Sequence, residues 1–570
     1  MAQDLGSRPW YKDWPPNVPK IVDFPNIGLG QMLKETAAKY PGDKAIVFQD
    51  SVMTYGELDD KVNRFATALA GLGFARGDVL ALILPNSPQF VVAFYACQRL
   101  GVTVTAINPT YKGLEIKHQL NDSGAKGLVV LDAVFGEAAR VLDQTKVKHL
   151  IGTNIADLMR LPAWKKWLGK KLGKIPFADM PSHALKFTKM VATAPNVRQV
   201  EVNPAEDVAA LIYTGGTTGT PKGAMLTHQN LVSNAYMGKA WIGEDFPRDA
   251  GWVGVLPLFH SFALTCVMDT ALCRGGFMLL FPKPPDSMAE WAAQIEKWGQ
   301  GTQLCMPGVA VLFNKINNTP GLEKFDLSPL TKCLSGAGPL PRDVQLKFEQ
   351  KFGSQVVEGY GLTESSPVTH ANPFVGERKL GSIGLPFPNT DVKIMDLETG
   401  SKELGYGPDQ VGELCVKGPQ VMKGYFNRPV ETSATIRDGW LYTGDVAYMD
   451  EDGWTFIMDR AKDLVKHKGY SVFPKEIEDY LFSHPDILEV AVVGLPHPKV
   501  GEILKAFVVL KPESQGKVSE QDIIDWCKEN MTHYKVPNEV QFRAELPKTM
   551  VGKVLRRVLK EEELAKSDQK

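Results

Sequence analysis

Thr214-Gly215-Gly216-Thr217-Thr218-Gly219-Thr220-Pro221-Lys222-Gly223 is the stretch on which the reading of this chain turns. It sets glycines, hydroxyl side chains and one lysine between two apolar segments. The segment before it, Val208-Ala209-Ala210-Leu211-Ile212-Tyr213, is apolar, of strand length and bounded by glycine, and it reads as a buried strand. Glycine lets backbone N–H groups turn toward an anion with no side chain in the way. Threonine hydroxyls add donors and Lys222 adds a point charge. Thr214, Gly215, Gly216, Thr217, Thr218, Gly219 and Lys222 are therefore a candidate phosphate cradle, although the same composition also makes an ordinary Gly/Thr surface turn. The stretch is not the P-loop of the common NTPases, which requires Gly-x-x-x-x-Gly-Lys-[Ser/Thr] opening a helix. Here the lysine follows a proline and Gly223-Ala224-Met225-Leu226 continues extended. A helix is expected only from about Thr227-His228-Gln229-Asn230.

Working outward, 570 residues are too many for one core and imply several units. Apolar content of 44% and charge of 23% are those of a globular chain. A net charge of -1 gives no global pull toward nucleic acid or acidic membranes, so none is expected as a general partner. Seven cysteines are scattered without a Cys-x-x-Cys pair and read as buried reduced thiols. Met1-Ala2-Gln3-Asp4 lacks a basic region followed by an apolar one, and no apolar stretch reaches the roughly 18 residues of a spanning helix. A cytoplasmic protein is the expectation.

The Trp/Pro-rich residues 7–25 read as an extended surface arm. Thr54-Tyr55-Gly56-Glu57 reads as a capping box before Leu58, Val62, Phe65, Leu69 and Leu72 at helical spacing. Residues 79–84 read as a buried strand, 88–100 as a core helix, and 127–131 and 148–153 as further strands. That alternation predicts a mainly parallel α/β sheet. Residues 160–190 differ. Trp164, Trp167, Leu168 and Leu172 fall at helical spacing among Lys165, Lys166, Lys170, Lys171 and Lys174, and Asp179 alone is acidic. Two readings stay open: an interfacial amphipathic helix touching a membrane, and a basic loop whose aromatics cover its own domain.

Further on, Ser335-Gly336-Ala337-Gly338-Pro339 ends a strand and precedes a helix from about Pro341. Glu358-Gly359-Tyr360-Gly361-Leu362-Thr363-Glu364 combines small residues that admit a flat ligand, a tyrosine able to stack on a base, and a hard oxygen ligand suited to Mg²⁺. From about Gly381 short Gly-punctuated strands, 412–417 and 421–425 among them, predict a small β subdomain. Tyr442-Thr443-Gly444-Asp445 offers a carboxylate after a tight turn, suited to a ribose diol. Asp459-Arg460-Ala461-Lys462-Asp463 marks a boundary. A compact unit follows, with a helix from Pro474, strands over 489–494 and 506–510, and a helix capped by Ser519 with Asp522. Pro547-Lys548-Thr549-Met550-Val551-Gly552-Lys553 closes it with a loop lysine. His260, in Leu258-Phe259-His260-Ser261-Phe262, reads on its own as a core histidine.

Taken in order, these motifs resemble the adenylate-forming superfamily of acyl-CoA synthetases, luciferases and peptide-synthetase adenylation domains over nearly the whole chain. His118-Gln119-Leu120-Asn121-Asp122-Ser123-Gly124, the Trp/Pro arm and the basic segment are similar to bacterial fatty-acyl-CoA synthetases. The resemblance implies an α/β fold with a large N-terminal domain (1–459) of two mainly parallel sheets plus a small β-barrel-like subdomain. A hinge (460–463) and a small mobile α+β C-terminal domain (464–570) would follow. It implies ATP, Mg²⁺ and CoA as ligands, a fatty or other carboxylic acid as substrate, and a homodimer. It places Gly336, Ala337, Gly338, Gly359 and Tyr360 around adenine, Asp445 and Arg460 on the ribose hydroxyls, Glu358, Gly361, Thr363 and Ile457 in the cofactor site at large, and Glu364 on Mg²⁺. It gives Lys553 to adenylation, Lys462 to the hinge, Lys466 to a second phosphate contact, Gly469 to the CoA channel and His260 to the acyl gate. The Lys466-His467-Lys468-Gly469 run is more basic than the fatty-acyl form and looks more like 4-coumarate ligases. The alternatives are thus an aryl-acid CoA ligase, a stand-alone enzyme adenylating an acid for a carrier protein, and a non-catalytic nucleotide binder.

Overall fold

The computed structural model describes residues 8–214, 221–467, 470–497, 501–549 and 554–567. Two large sheets form its frame. The first has nine strands and runs parallel from Lys44–Phe48 through Phe277–Leu280, Gly251–Gly254, Leu304–Gly308 and Leu330–Ser335 to Gln355–Gly361, with antiparallel strands at both edges. The second has eight strands and is parallel from Leu185–Lys186 to Val208–Thr214, beyond which Lys222–Thr227 and Gly424–Tyr425 add antiparallel. Strands covered on both faces read as unbroken apolar runs, and Val79–Ile83 and Gly127–Leu131 are buried at every position.

The helices follow local signals. Thr54 caps Tyr55–Gly71 by accepting from the Glu57 N–H at 3.3 Å, while Glu57 accepts from the Thr54 N–H at 2.9 Å. Losing such a cap costs about 1 kcal/mol. The face behind it buries Leu58, Val62, Phe65 and Leu69 completely, each worth roughly 1.5–3 kcal/mol. Pro88–Leu100 is buried at all its positions, held between Tyr55–Gly71 and Leu29–Lys39.

A five-stranded antiparallel sheet is built on Asp391–Met395, Gly412–Lys417 and Trp440–Met449, with Thr455–Arg460 paired to the last. After Arg460 the chain enters a separate five-stranded sheet, whose long hairpin Ile487–His497 and Gly501–Leu510 is covered by helices Pro474–Phe482 and Arg556–Ser567. Both C-terminal strands are longer than their apolar cores because the hairpin ladder extends through Pro496 and Glu502.

The Trp/Pro arm lies along the surface, with Lys12, Pro16, Lys20 and Asp23 exposed, and is anchored by its inward residues: Trp10 is buried against Gly453, Arg8 pairs with Asp391, and Trp454 donates to Asp13 at 2.8 Å. One expectation needs correction. Gly424–Tyr425 belongs to the second large sheet, not to the small β unit, because it pairs with Ala224 and Met225. The helix Arg342–Phe352 starts, as expected, at Pro341, which is its N-cap.

Candidate active site

The hairpin that decides the fold is present: Thr214 pairs with Lys222, and the helix His228–Ile242 starts only after Thr227, whose hydroxyl and Asn230 form a capping box. Residues Gly215, Gly216, Thr217, Thr218 and Gly219 lie outside the described residues, as do Gly469 and Lys553. What flanks the loop is firmly tied. The Tyr213 hydroxyl donates to Asp122 at 2.7 Å, and the other oxygen of Asp122 takes Arg428 at 2.8 Å. Asp122 thereby fastens the strand entering the loop to the segment leaving Gly424–Tyr425. His118 and the Pro221 carbonyl share a hydrogen bond of 3.1 Å on the far side.

Glu364 sits on the short turn Thr363–Ser365, shaped by the Ser365 hydroxyl, which bonds both Leu362 and Pro367. Its carbonyl accepts from the Met422 N–H at 2.8 Å, and Asn230 holds the neighbouring Pro419 and Val421 carbonyls, each at 2.8 Å. The Tyr425 hydroxyl donates to Glu364 at 2.7 Å, and the Lys222 ammonium lies 5.0 Å over the same tyrosine ring. Burial, then the Glu364 charge, keeps Tyr425 protonated far above the ordinary tyrosine range. Tyr425 thus joins the lysine at the exit of the glycine loop to the carboxylate suited to a metal.

At the next position, Asp445 is buried and its two oxygens face Tyr360, which donates to it, and Arg460 at 3.1 Å. Arg460 and Asp445 are cross-strand partners, so the pairing of Trp440–Met449 with Thr455–Arg460 fixes this ion pair. Ile457 lies partly buried on the same strand. Lys462 lies two residues further on, and burial, then the Arg460 charge, lowers its ammonium below the ordinary lysine range against the opposing pull of Asp463, Asp445 and Glu364. Glu358 is buried, and burial pushes its carboxyl up to about 8 against the opposing charge of Lys475 in the C-terminal unit.

Small residues are used where contact is tight. A side chain on Gly336 would meet the Phe262 ring at 3.0 Å, and one on Gly361 would meet the Pro367 carbonyl at 2.0 Å. Ala337 takes φ 64, a left-handed turn that leaves Gly338 open to space. His260 accepts from the Phe262 N–H at 3.2 Å, so its ring is oriented by the helix it caps. Ser261 in turn contacts Thr363 at 3.4 Å. Lys466 stands on Val465–His467 of the C-terminal sheet, its main-chain N–H on Glu502 at 3.0 Å.

The structure therefore sets Glu364 and Tyr360 at the carboxyl end of one α/β sheet and Lys222 beside the carboxyl end of a strand of the other, where such sheets bind ligands, and brings Asp445 and Arg460 to Tyr360 from the antiparallel sheet. This donor set fits a metal–nucleotide: a hard oxygen for Mg²⁺, a carboxylate for a vicinal diol, and cations for phosphate. Sequence reasoning missed Tyr425, Asp122 and Lys475. Tyr425→Phe is expected to raise KM for ATP about tenfold, because a hydrogen bond to a charged group contributes roughly 1.5–3 kcal/mol. Unchanged ATP dependence in steady-state kinetics would remove Tyr425 from the site.

Residues 33–426 match the AMP-binding enzyme family, and residues 476–553 match the AMP-binding enzyme C-terminal domain. The chain is 39% identical over 564 residues to the long-chain-fatty-acid–CoA ligase of Bacillus subtilis, covering 98% of each. It is 34% identical over 511 residues to a probable 4-coumarate–CoA ligase of Dictyostelium discoideum, covering 88% of this chain and 89% of that one. ATP-bound MatB from Rhodopseudomonas palustris has a similar structure, with a TM-score of 0.79 at 28% identity over 94% of this chain and 99% of that one.

Proposed function

The chain belongs to the AMP-binding enzyme family, and on that premise we propose that this acyl-CoA ligase activates fatty acids, first as acyl-AMP and then as the CoA thioester. The observation that carries the reading is the continuous set from Lys222 through Tyr425 to Glu364, set beside Tyr360, Asp445 and Arg460. It offers a cation and a hard oxygen at one end and a diol acceptor at the other, which is the polarity of a nucleoside triphosphate.

In the first step the acid's carboxylate attacks the α-phosphate of ATP, forming the acyl–phosphate bond as pyrophosphate leaves. Lys222 and the hydroxyls of Thr214–Thr218 hold the leaving phosphates; Asp445 with Arg460 holds the ribose. Bound at Glu364, Mg²⁺ would neutralise phosphate charge. Lys553 offsets the repulsion between the two anions, and Gly336 with Gly359 leaves room for adenine. In the second step the CoA thiolate displaces AMP, with Lys466 and Gly469 brought up by movement about 460–463. His260 borders the acyl entrance.

Full-length likeness to a long-chain ligase supports an alkyl acid. The basic Lys466-His467-Lys468-Gly469 run supports the second reading, an aryl acid. ATP–pyrophosphate exchange across C8–C16 fatty acids, cinnamates and benzoates separates them. Exchange is expected to be at least tenfold faster with a C12–C16 acid than with any cinnamate, with CoA stimulating AMP release. Preference for cinnamate would give the aryl reading. AMP release indifferent to CoA would give a carrier-loading enzyme.

A further inference from the structure

The helix Ala163–Lys171 is built inside out. A surface helix ordinarily turns its apolar stripe to the core. Here no residue of the helix is buried, and Trp164, Trp167 and Leu172 are 61%, 63% and 61% exposed. The inward side holds the opposite kind of residue. Lys166 reaches back to the Asp157 carbonyl at 3.1 Å, and Gly169 makes room for Ile175, which folds across it. Both ends are anchored: the Arg160 N–H donates to Ser51 at 2.9 Å, and the Asn154 side chain donates to the Pro176 carbonyl at 2.9 Å. The outward face is thus held in place by the fold. The reading in which these aromatics cover their own domain is overturned.

The charge around the face identifies what it meets. Lys165, Lys170 and Lys171 lie 5.4, 5.6 and 5.1 Å from the rings of Trp164, Phe177 and Trp167. Asp179 is the sole acid between 160 and 190, while the whole chain is balanced at -1. Among these lysines stand five exposed large apolar side chains, Trp164, Trp167, Leu168, Leu172 and Phe177. An interface whose apolar interior lies behind anionic headgroups takes indoles and leucines inward and lysines at the rim. Among the described residues no helix is long and apolar enough to cross a membrane, so any such contact is made from one side.

We infer that residues 163–177 form a docking surface for an anionic phospholipid bilayer, seating the enzyme on the membrane whatever acid it activates. The test uses the full chain pelleted with extruded vesicles of 3:1 phosphatidylcholine:phosphatidylglycerol and of phosphatidylcholine alone. Binding is expected to be at least tenfold stronger to the anionic vesicles. It should weaken severalfold in 0.5 M salt, where the screening length falls to on the order of 4 Å. The triple variant Trp164→Ser/Trp167→Ser/Leu172→Ser should lose at least tenfold in binding while turning over octanoate at the wild-type rate. A second variant, Lys165→Glu/Lys170→Glu/Lys171→Glu, keeps the apolar face and should lose anionic preference alone. Equal pelleting with both lipids, no pelleting, or unaltered binding by both variants overturns the inference. So does a change of sedimentation coefficient in the Ser variant without lipid, which would make the face a contact between copies of this chain.

Discussion

Lys553→Ala should lose acid-dependent ATP–pyrophosphate exchange by about 10²–10³-fold while still making thioester from supplied acyl-AMP and CoA. The magnitude follows from the chemistry: a carboxylate must approach a phosphate, and negative charge grows at phosphorus as pyrophosphate departs. One positioned cation aimed at that charge is worth on the order of 3–4 kcal/mol of barrier. The second step needs no such help, since the attacking thiolate meets an activated acyl carbon and AMP is already a competent leaving group. Lys222 does not substitute for Lys553, being held over the Tyr425 ring at the exit of the glycine loop, on the leaving-group side. The described residues that flank Lys553 in sequence are tied to each other, by the Lys548–Val554 bridge and by the Leu555 N–H on the Pro547 carbonyl at 2.8 Å. Single-turnover assays of each half-reaction separate the outcomes. Equal loss in both would mean that Lys553 serves the fold or both steps, and the assignment to adenylation would fall.

How far the sequence foretells this arrangement depends on the range of each interaction. Signals that act within one turn or strand are legible. The capping boxes at Thr54, Thr227 and Ser519 are present, as are the extended lysine strand after Pro221 and the two buried strands over 79–83 and 127–131. Partners chosen by long-range strand pairing are not. Gly-Tyr in Gly424–Tyr425 has no period of its own, so nothing local says that it adds to Lys222–Thr227 and drops its hydroxyl on Glu364. Asp122 is one acid on a helix until Tyr213 and Arg428 converge on it from distant stretches. For Ala163–Lys171 the helical spacing is legible but its orientation is not. Periodicity assigns an apolar stripe without saying which side meets the protein. Among the glycines, the close contact of Gly361 is with Pro367, six residues on, whereas that of Gly336 is with Phe262 from a distant stretch and has no local signal.

Arg556 is the clearest case of a residue that no local pattern announces, and it carries the largest expected stability effect. It stands 97 residues from Asp459 in sequence, yet it bonds Asp459 at 2.9 Å, Asp463 at 3.3 Å and Glu478 through two nitrogens. Side chains of Asp459 and Glu478 are only 2% and 12% exposed, and Asp459 also accepts from the Lys475 N–H at 2.7 Å at the start of helix Pro474–Phe482. Burial lifts the Glu478 carboxyl above the usual carboxylate range, and Arg556 works against that lift. Arg556→Ala removes the cation and leaves the acids enclosed, a loss of about 3 kcal/mol by comparison with broken buried pairs. The sign of its pH dependence is fixed. Without the guanidinium, Glu478 has a folded pKa raised further above its unfolded value, so the folded state holds a proton that the unfolded state has shed. The deficit against wild type is therefore small near pH 4.5 and grows as pH rises toward 8. Thermal unfolding of both proteins across that range should show the gap widening, and Glu478→Gln placed in the Ala variant should narrow it. The network also spans the junction: Asp459 precedes Arg460 at the end of the strand Thr455–Arg460, whereas Glu478 and Arg556 lie in the C-terminal unit. If that unit rotates about 460–463 between half-reactions, the bonds to Asp459 and Asp463 break while the one to Glu478 travels with it. Arg556→Ala should then change the ratio of adenylation to thioesterification as well as the melting point. A gap that is flat in pH, with the ratio of half-reactions unmoved, would reduce Arg556 to a surface ion pair.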